Sequence, residues 1–222
     1  VHGYHATTAL SLLGVAGPAV FTPHYHGTHG HSRLADVLHR SYRRIAPLLL
    51  RRCDAIICVS SAERDQLLSD FPRAGNKVVV IPNGVSAAEI RSATAFPNQP
   101  QTVLCVGRLE AYKRFDDVIR AFAQVPAPTR LVIVGDGSER DELAAAAQTL
   151  GLGGRVELTG PASDETLHRW LRTARVLVSV SEREAFGIVP MEAACAGAKV
   201  VLSDIPAHRD IAAEFLGDTA LF

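Results

Sequence analysis

The sequence predicts an α/β chain built on parallel sheets, on the strength of three observations. Valine-rich apolar runs such as Val176–Val180 and Lys199–Ser203 are too uniformly hydrophobic for a sheet with one wet face. Segments of helical period alternate with these runs. The junctions carry turn and end signals. Between the two runs above, the polar turn SEREAFG leads into a helix over about Ile188–Ala196, with Pro190 in its first turn and Gly197 where it would stop.

Taken in order, residues 1–17 read as a strand end, a loop and a short alanine/leucine helix, and Pro18–Thr22 as a strand. His2, His5, His24, His26 and His29 crowd this opening, with His31 close behind. No cysteine or carboxylate accompanies them, and the HYH alternation would splay two rings to opposite sides of a strand end. That argues against zinc and for a loop that points one or two imidazoles into a cleft. Arg33–Arg52 reads as a long helix with Leu34, Val37, Leu38, Ile45, Leu48 and Leu49 on its apolar face. Its six arginines fit a solvated face, with contact to an acceptor phosphate or a membrane as the alternative. Asp54–Val59 is the next strand, Ser60 and Glu63 form a capping box for a helix through Leu68, and Lys77–Ile81 reads as another buried strand.

Residues 91–101, RSATAFPNQPQ, lack periodicity and carry two prolines. They mark a linker at 93–101, between a first domain over 1–92 and a second over 102–222. The second opens with strand Thr102–Val106, loop GRLEAYK and helix Phe115–Val125. Strand Leu131–Val134 follows, then the turn Gly135-Asp136-Gly137 into a helix for which Ser138 and Asp141 are capping partners. Arg155–Leu158 is a short strand. Asp164–Ala174 is an amphipathic helix whose Trp170, spaced with Leu167 and Leu171, belongs to a core.

Composition narrows the function. With 23 basic and 23 acidic residues the chain has no net charge, so no basic field exists for nucleic acid. The 47% of hydrophobic residues come in runs too short to span a bilayer. No charged and apolar leader opens the chain, and its first residue is Val rather than Met, which suggests that the true start is missing. Cys53, Cys58, Cys105 and Cys195 lie in apolar segments at no metal-ligand spacing, as reduced thiols of a cytoplasmic protein would.

Chemistry concentrates in two loops. The N–H groups of Gly187, Ile188 and Val189 would face the loop before their helix and favour an anion. Glu192 lies roughly 7–8 Å further along at ~1.5 Å per residue. One element could thus hold a phosphate at its tip and neutral hydroxyls at Glu184 and Glu192, although two glutamates can equally be solvated surface residues. Arg108 and Lys113 flank a tight loop after a strand, where two cations can neutralise a diphosphate leaving group, although an ordinary surface Arg and Lys fit the spacing equally well. The motif GDGSER has Arg140 where a third glycine would complete a dinucleotide fingerprint, and a tight strand–helix turn accounts for it.

The run from Glu184-Ala185-Phe186-Gly187 to Glu192-Ala193 resembles the E-x7-E signature of retaining glycosyltransferase family 4, which has the GT-B fold of two Rossmann-like domains. The string Val80–Val85, VIPNGV, is similar to the one that closes the family's N-terminal domain, and GRLEAYK to its GR…K motif. Departures are Ala185 for Gly, Cys195 for Met, Lys199 for Pro, and Ser86 where an aspartate usually stands.

The resemblance implies an acceptor-side first domain that is incomplete and a donor-binding second one. The family's glycine-rich loop after its first strand is not found, so the chain looks like an internal fragment of a longer enzyme. It also implies transfer of a hexosyl group from a nucleoside-diphosphate sugar to an acceptor hydroxyl with retention, without metal or other cofactor; no D-x-D motif occurs. The acceptor would be a glycan, a lipid-linked sugar or a small metabolite, in the cytoplasm, with the inner membrane face as the alternative location. His26, with His24 as rival, and Glu184 would contact the reacting sugar, and Glu192 the ribose. Gly107, Arg108, Lys113, Gly135, Phe186, Gly187 and Ile188 would surround the rest of the donor. A nucleotide-sugar epimerase of the same fold and a catalytically inactive nucleotide-binding fragment are the alternatives.

Overall fold

A computed structural model of the protein describes residue 14 and residues 16–25, 44–216 and 220–221. The chain forms two compact units. One comprises Val1–Asn83 with Glu184–Phe186, the other Gly84–Arg183 with Gly187–Phe222. Both are built on parallel sheets, as the valine-rich runs require.

In the first unit, strands β1 (Val20–Phe21), β2 (Ala55–Cys58) and β3 (Val78–Val80) pair in parallel in that order. Helix α1 (Ser61–Asp70) follows β2. Residues 44–51 are helical, and the rest of the predicted 33–52 helix lies outside the described residues. The expected apolar face is corrected in part. Ala46, Leu49, Leu50 and Cys53 are buried, whereas Ile45 and Leu48 are 42% and 63% exposed. The buried set follows i, i+3, i+4, i+7 and packs on Phe21, Tyr25, Ile56 and Phe71. The expectation of a buried strand at 77–81 is also corrected. Val79 and Ile81 are each half exposed, because β3 pairs only with β2 among the described residues.

The capping box forms in altered shape. The Ser60 hydroxyl accepts from the Glu63 N–H at 2.9 Å. The Glu63 carboxylate, instead of returning to Ser60, accepts from Val59 N–H at 2.6 Å and from Tyr25 N–H, and so ties the ends of β2 and β1 together. Within the same unit the Ser60 hydroxyl donates to the Ala185 carbonyl at 2.7 Å.

The second unit holds β4 (Thr102–Val106), β5 (Arg130–Val134), β6 (Val156–Gly160), β7 (Val176–Ser179), β8 (Lys199–Leu202) and β9 (Ala220–Leu221). They pair in parallel in the order β6-β5-β4-β7-β8-β9. The helices are α2 (Ala87–Ser92), α3 (Phe115–Phe122), α4 (Arg140–Thr149), α5 (Asp164–Thr173), α6 (Ile188–Ala196) and α7 (Pro206–Ile211). Right-handed crossovers put α3 and α4 on one face and α5, α6 and α7 on the other. The packing agrees: α3 lies against α4, and α5 against α6, with α2 touching both of the latter. Trp170 is buried and meets the Phe96 ring in a tilted contact with centroids 4.5 Å apart, a core role.

Glu63 makes the first unit sensitive to pH. Burial pushes its carboxyl from the ordinary 4.5 up to about 7, against the pull of the Val59 and Tyr25 N–H groups. A carboxyl that holds its proton more tightly in the folded state lends stability below 4.5, and that stability is lost as pH rises towards 7. Urea unfolding should therefore show wild-type stability falling across this window by ~3 kcal/mol more than that of Glu63→Gln. Parallel pH profiles for the two proteins would contradict the assignment.

Candidate functional site

The strand order of the second unit reverses at one place. From β4 the chain steps outward to β5 and β6, then returns to the other side of β4 for β7, β8 and β9. Crossovers on opposite faces leave a crevice outside the carboxyl ends of β4 and β7, where open α/β sheets bind ligands. The loop after β4 is Gly107–Lys113. The loop after β7 runs through Glu182 and Arg183, and α6 begins five residues further on.

Glycines bring the loops after β4 and β5 into contact. Gly135 adopts φ +142°, and a Cβ there would stand 1.9 Å from the Gly107 carbonyl oxygen. A Cβ on Gly137 would stand 2.5 Å from the Leu109 carbonyl oxygen. The loops are laced by Gly107 N–H to Val134 O at 3.0 Å and Leu109 N–H to Asp136 O at 2.9 Å. Close backbone approach thus accounts for the GDG turn. Ser138 does not cap α4 as expected. Its hydroxyl donates to Glu110 at 3.2 Å, and Glu139 occupies the cap position without a side-chain bond.

Arg108 and Lys113 lie in the loop after β4, beside two residues, Tyr112 and Arg183, that the sequence reading did not select. The Arg108 guanidinium donates to the Tyr112 hydroxyl at 2.9 Å. Arg108, Lys113 and Arg183 lie 5.8, 5.4 and 4.9 Å from the centre of the Tyr112 ring. The Glu182 N–H donates to the Tyr112 carbonyl at 2.9 Å and fastens the β7 loop to the β4 loop. A cation on an exposed ring gains about 0.5–1 kcal/mol.

Helix α6 starts and stops where Pro190 and Gly197 indicated. Gly187 adopts φ +113°, and a Cβ there would meet the Ile211 side chain at 2.9 Å, so glycine is required at this cap. No side chain among the described residues caps this end. Ile188 is 42% exposed in the first turn. Glu192 is partly buried; burial raises its carboxyl above the ordinary range, Asp164 adds to the rise, and His168 opposes it. His168 is another neighbour the sequence reading did not select.

The remaining candidates belong to the first unit. Glu184 is partly buried there, beside the Ala185 carbonyl held by Ser60, and the Phe186 side chain is buried. His26 lies outside the described residues. Its rival His24, partly buried after β1, has φ +47°.

Comparison with known proteins agrees with this geometry. The family model "Glycosyl transferases group 1" matches residues 86–219, and "Glycosyltransferase Family 4" matches residues 1–89. The chain belongs to the group 1 glycosyl transferases, since that match alone spans more than half of it. It is 31% identical over 193 residues to a glycogen synthase of Mycobacterium tuberculosis, covering 85% of this chain and 47% of that protein. It is 32% identical over 170 residues to an uncharacterized glycosyltransferase of Methanocaldococcus jannaschii, covering 70% and 44%. The chain thus spans about half the length of the curated relatives it matches.

Among solved structures, Anabaena HepE in complex with UDP-glucose superposes with a TM-score of 0.79 at 23% identity, covering 97% of this chain and 61% of that one. Sucrose-phosphate synthase from Thermosynechococcus elongatus gives 0.78 at 24%, covering 92% and 55%. These neighbours share the GT-B glycosyltransferase fold.

Replacing Gly135 with Ala should disrupt the site from beneath, because neither backbone can retreat without breaking the lacing bonds. Thermal unfolding of Gly135→Ala is expected to reveal a loss of at least ~3 kcal/mol. A midpoint within a degree of wild type would show that the loops are not in contact.

Proposed function

We propose that the chain carries the donor side of a glycosyltransferase that moves a hexosyl group from a nucleoside-diphosphate sugar to an acceptor hydroxyl with retention. One observation carries the reading. The strand-order reversal sets the GRLEAYK loop and the loop leading to α6 after adjacent parallel strands, which supports a crevice lined by cations and a helix start. HepE, solved with UDP-glucose, shares this fold, and UDP is the diphosphate to try first.

In this reading Arg108, Lys113 and the first amides of α6 take up the negative charge that grows on the departing diphosphate, without a metal ion. Gly107 and Gly135 let the backbone come close to it. Glu192 accepts hydrogen bonds from ribose hydroxyls. Gly187 and Ile188 are assigned to the donor beside the diphosphate, and Glu184, Phe186 and His26, the last outside the described residues, keep the donor-sugar roles that the family resemblance implies. The departing phosphate serves as base for the incoming hydroxyl. The acceptor is a glycan, a lipid-linked sugar or a small metabolite. The four free cysteines fit a reducing cytoplasm. Among the described residues no helix is long and apolar enough to cross a membrane.

Calorimetric titration of UDP tests the site. Lys113→Ala and Glu192→Ala should each weaken binding at least tenfold, about 1.4 kcal/mol. Unchanged affinity in both would remove the assignment. Retention is read separately, from the anomeric coupling constant of the product formed with UDP-glucose; an inverted product would refute that part.

A further inference from the structure

We infer that Ser60 is a positioning residue of the donor-sugar site, whose hydroxyl fixes the backbone beside Glu184 and so the point from which that carboxylate reaches the sugar; this rests on the donor-sugar role proposed above for Glu184. Ser60 and the segment Glu184–Phe186 both belong to the first unit, although 125 residues separate Ser60 from Ala185 in the chain. Ser60 is buried, and its hydroxyl donates to the Ala185 carbonyl at 2.7 Å.

The hydroxyl is aimed by the helix it caps. Its oxygen accepts from the Glu63 N–H at 2.9 Å, which leaves the one hydrogen to turn away from α1 and towards Ala185. The first turn of α1 is itself a fixed post. The two Glu63 carboxylate oxygens take separate backbone partners, the Val59 N–H at 2.6 Å and the Tyr25 N–H, beyond the ends of β2 and β1. At the last residue of the helix the Tyr25 hydroxyl donates to Asp70 at 2.7 Å. Ser60 therefore cannot shift with α1 unless bonds to the segments after both strands break.

The segment that receives the bond needs such a post. Residues 184–186 lie in neither helix nor strand, so no ladder sets their backbone. Phe186 buries its side chain on one side of the Ala185–Phe186 peptide, and Ser60 holds the carbonyl of that same peptide. Glu184 is the next residue back along the chain. A hydrogen bond to a sugar hydroxyl weakens steeply outside a narrow range of distance and angle. A small drift of this backbone therefore loses the sugar contact, and the diphosphate, which is assigned to residues of the second unit, does not register it.

Calorimetry with UDP and UDP-glucose tests this on the chain as it stands, with circular dichroism to verify folding. Glycine is accepted at a helix N-cap almost as well as serine, so Ser60→Gly keeps α1 capped and removes the bond to Ala185. It should weaken UDP-glucose at least fivefold and leave UDP within twofold. Ser60→Thr, which keeps a hydroxyl, should stay within twofold for both. In a Glu184→Ala background, where the sugar contact is already gone, Ser60→Gly should add less than twofold. Wild-type affinity for UDP-glucose in Ser60→Gly, an equal loss of UDP, or the full loss repeated in the Glu184→Ala background each overturns the positioning role. If Ser60→Gly does not fold, Ser60→Ala is held to the same limits, and loss of the fold in both marks a purely structural residue and overturns the inference. If UDP binds and Glu184→Ala leaves UDP-glucose unchanged, the sugar role of Glu184 falls, and the role of Ser60 with it, while the diphosphate site stands. Failure of the wild type to bind UDP overturns the donor-site reading as a whole.

Discussion

The contact between the Gly135 backbone and the Gly107 carbonyl is the constraint from which the rest of the second unit's site follows. It leaves no room for a side chain, and so it fixes the height at which the loop after β4 leaves the sheet. Arg108 and Lys113 belong to that loop. The loop after β7 is tied to it by the Glu182 N–H bond to the Tyr112 carbonyl, and Arg183 lies against the Tyr112 ring. The glycines here are the geometry that allows two loops to share one crevice.

Legibility in the sequence followed the range of the physics. Local signals were read well. Pro190 and Gly197 bracket α6 at both of its ends, because capping and turn chemistry act within a few residues. The helix at 44–51 was oriented less well. Its large side chains suggested one face, whereas the buried stripe runs through Ala46, Leu49, Leu50 and Cys53. Small residues mark where helix and sheet come closest, and weighting by size hides them. The run VVV at 78–80 read as buried, but whether a strand is central or at an edge depends on neighbours that its own residues do not encode.

Non-local contacts were beyond reach. Tyr112 and Arg183 meet only because β4 and β7 are adjacent in the sheet, and nothing in the spacing of about seventy residues announces it. The local hint was present all the same, an aromatic ring next to Lys113 and an arginine set between two glutamates. Glu63 makes the same point in the first unit. Its place in a capping box was legible, but its bond to Tyr25 crosses from one strand end to another and needed the fold. A buried carboxylate that ties two strand ends is a tertiary feature in the guise of a local motif.

The bond from the Glu182 N–H to the Tyr112 carbonyl also has a consequence for motion. It fastens the loop after β7 to the loop after β4, and a backbone hydrogen bond of this kind contributes about 0.5–1.5 kcal/mol. A displacement of either loop is thereby passed to the other.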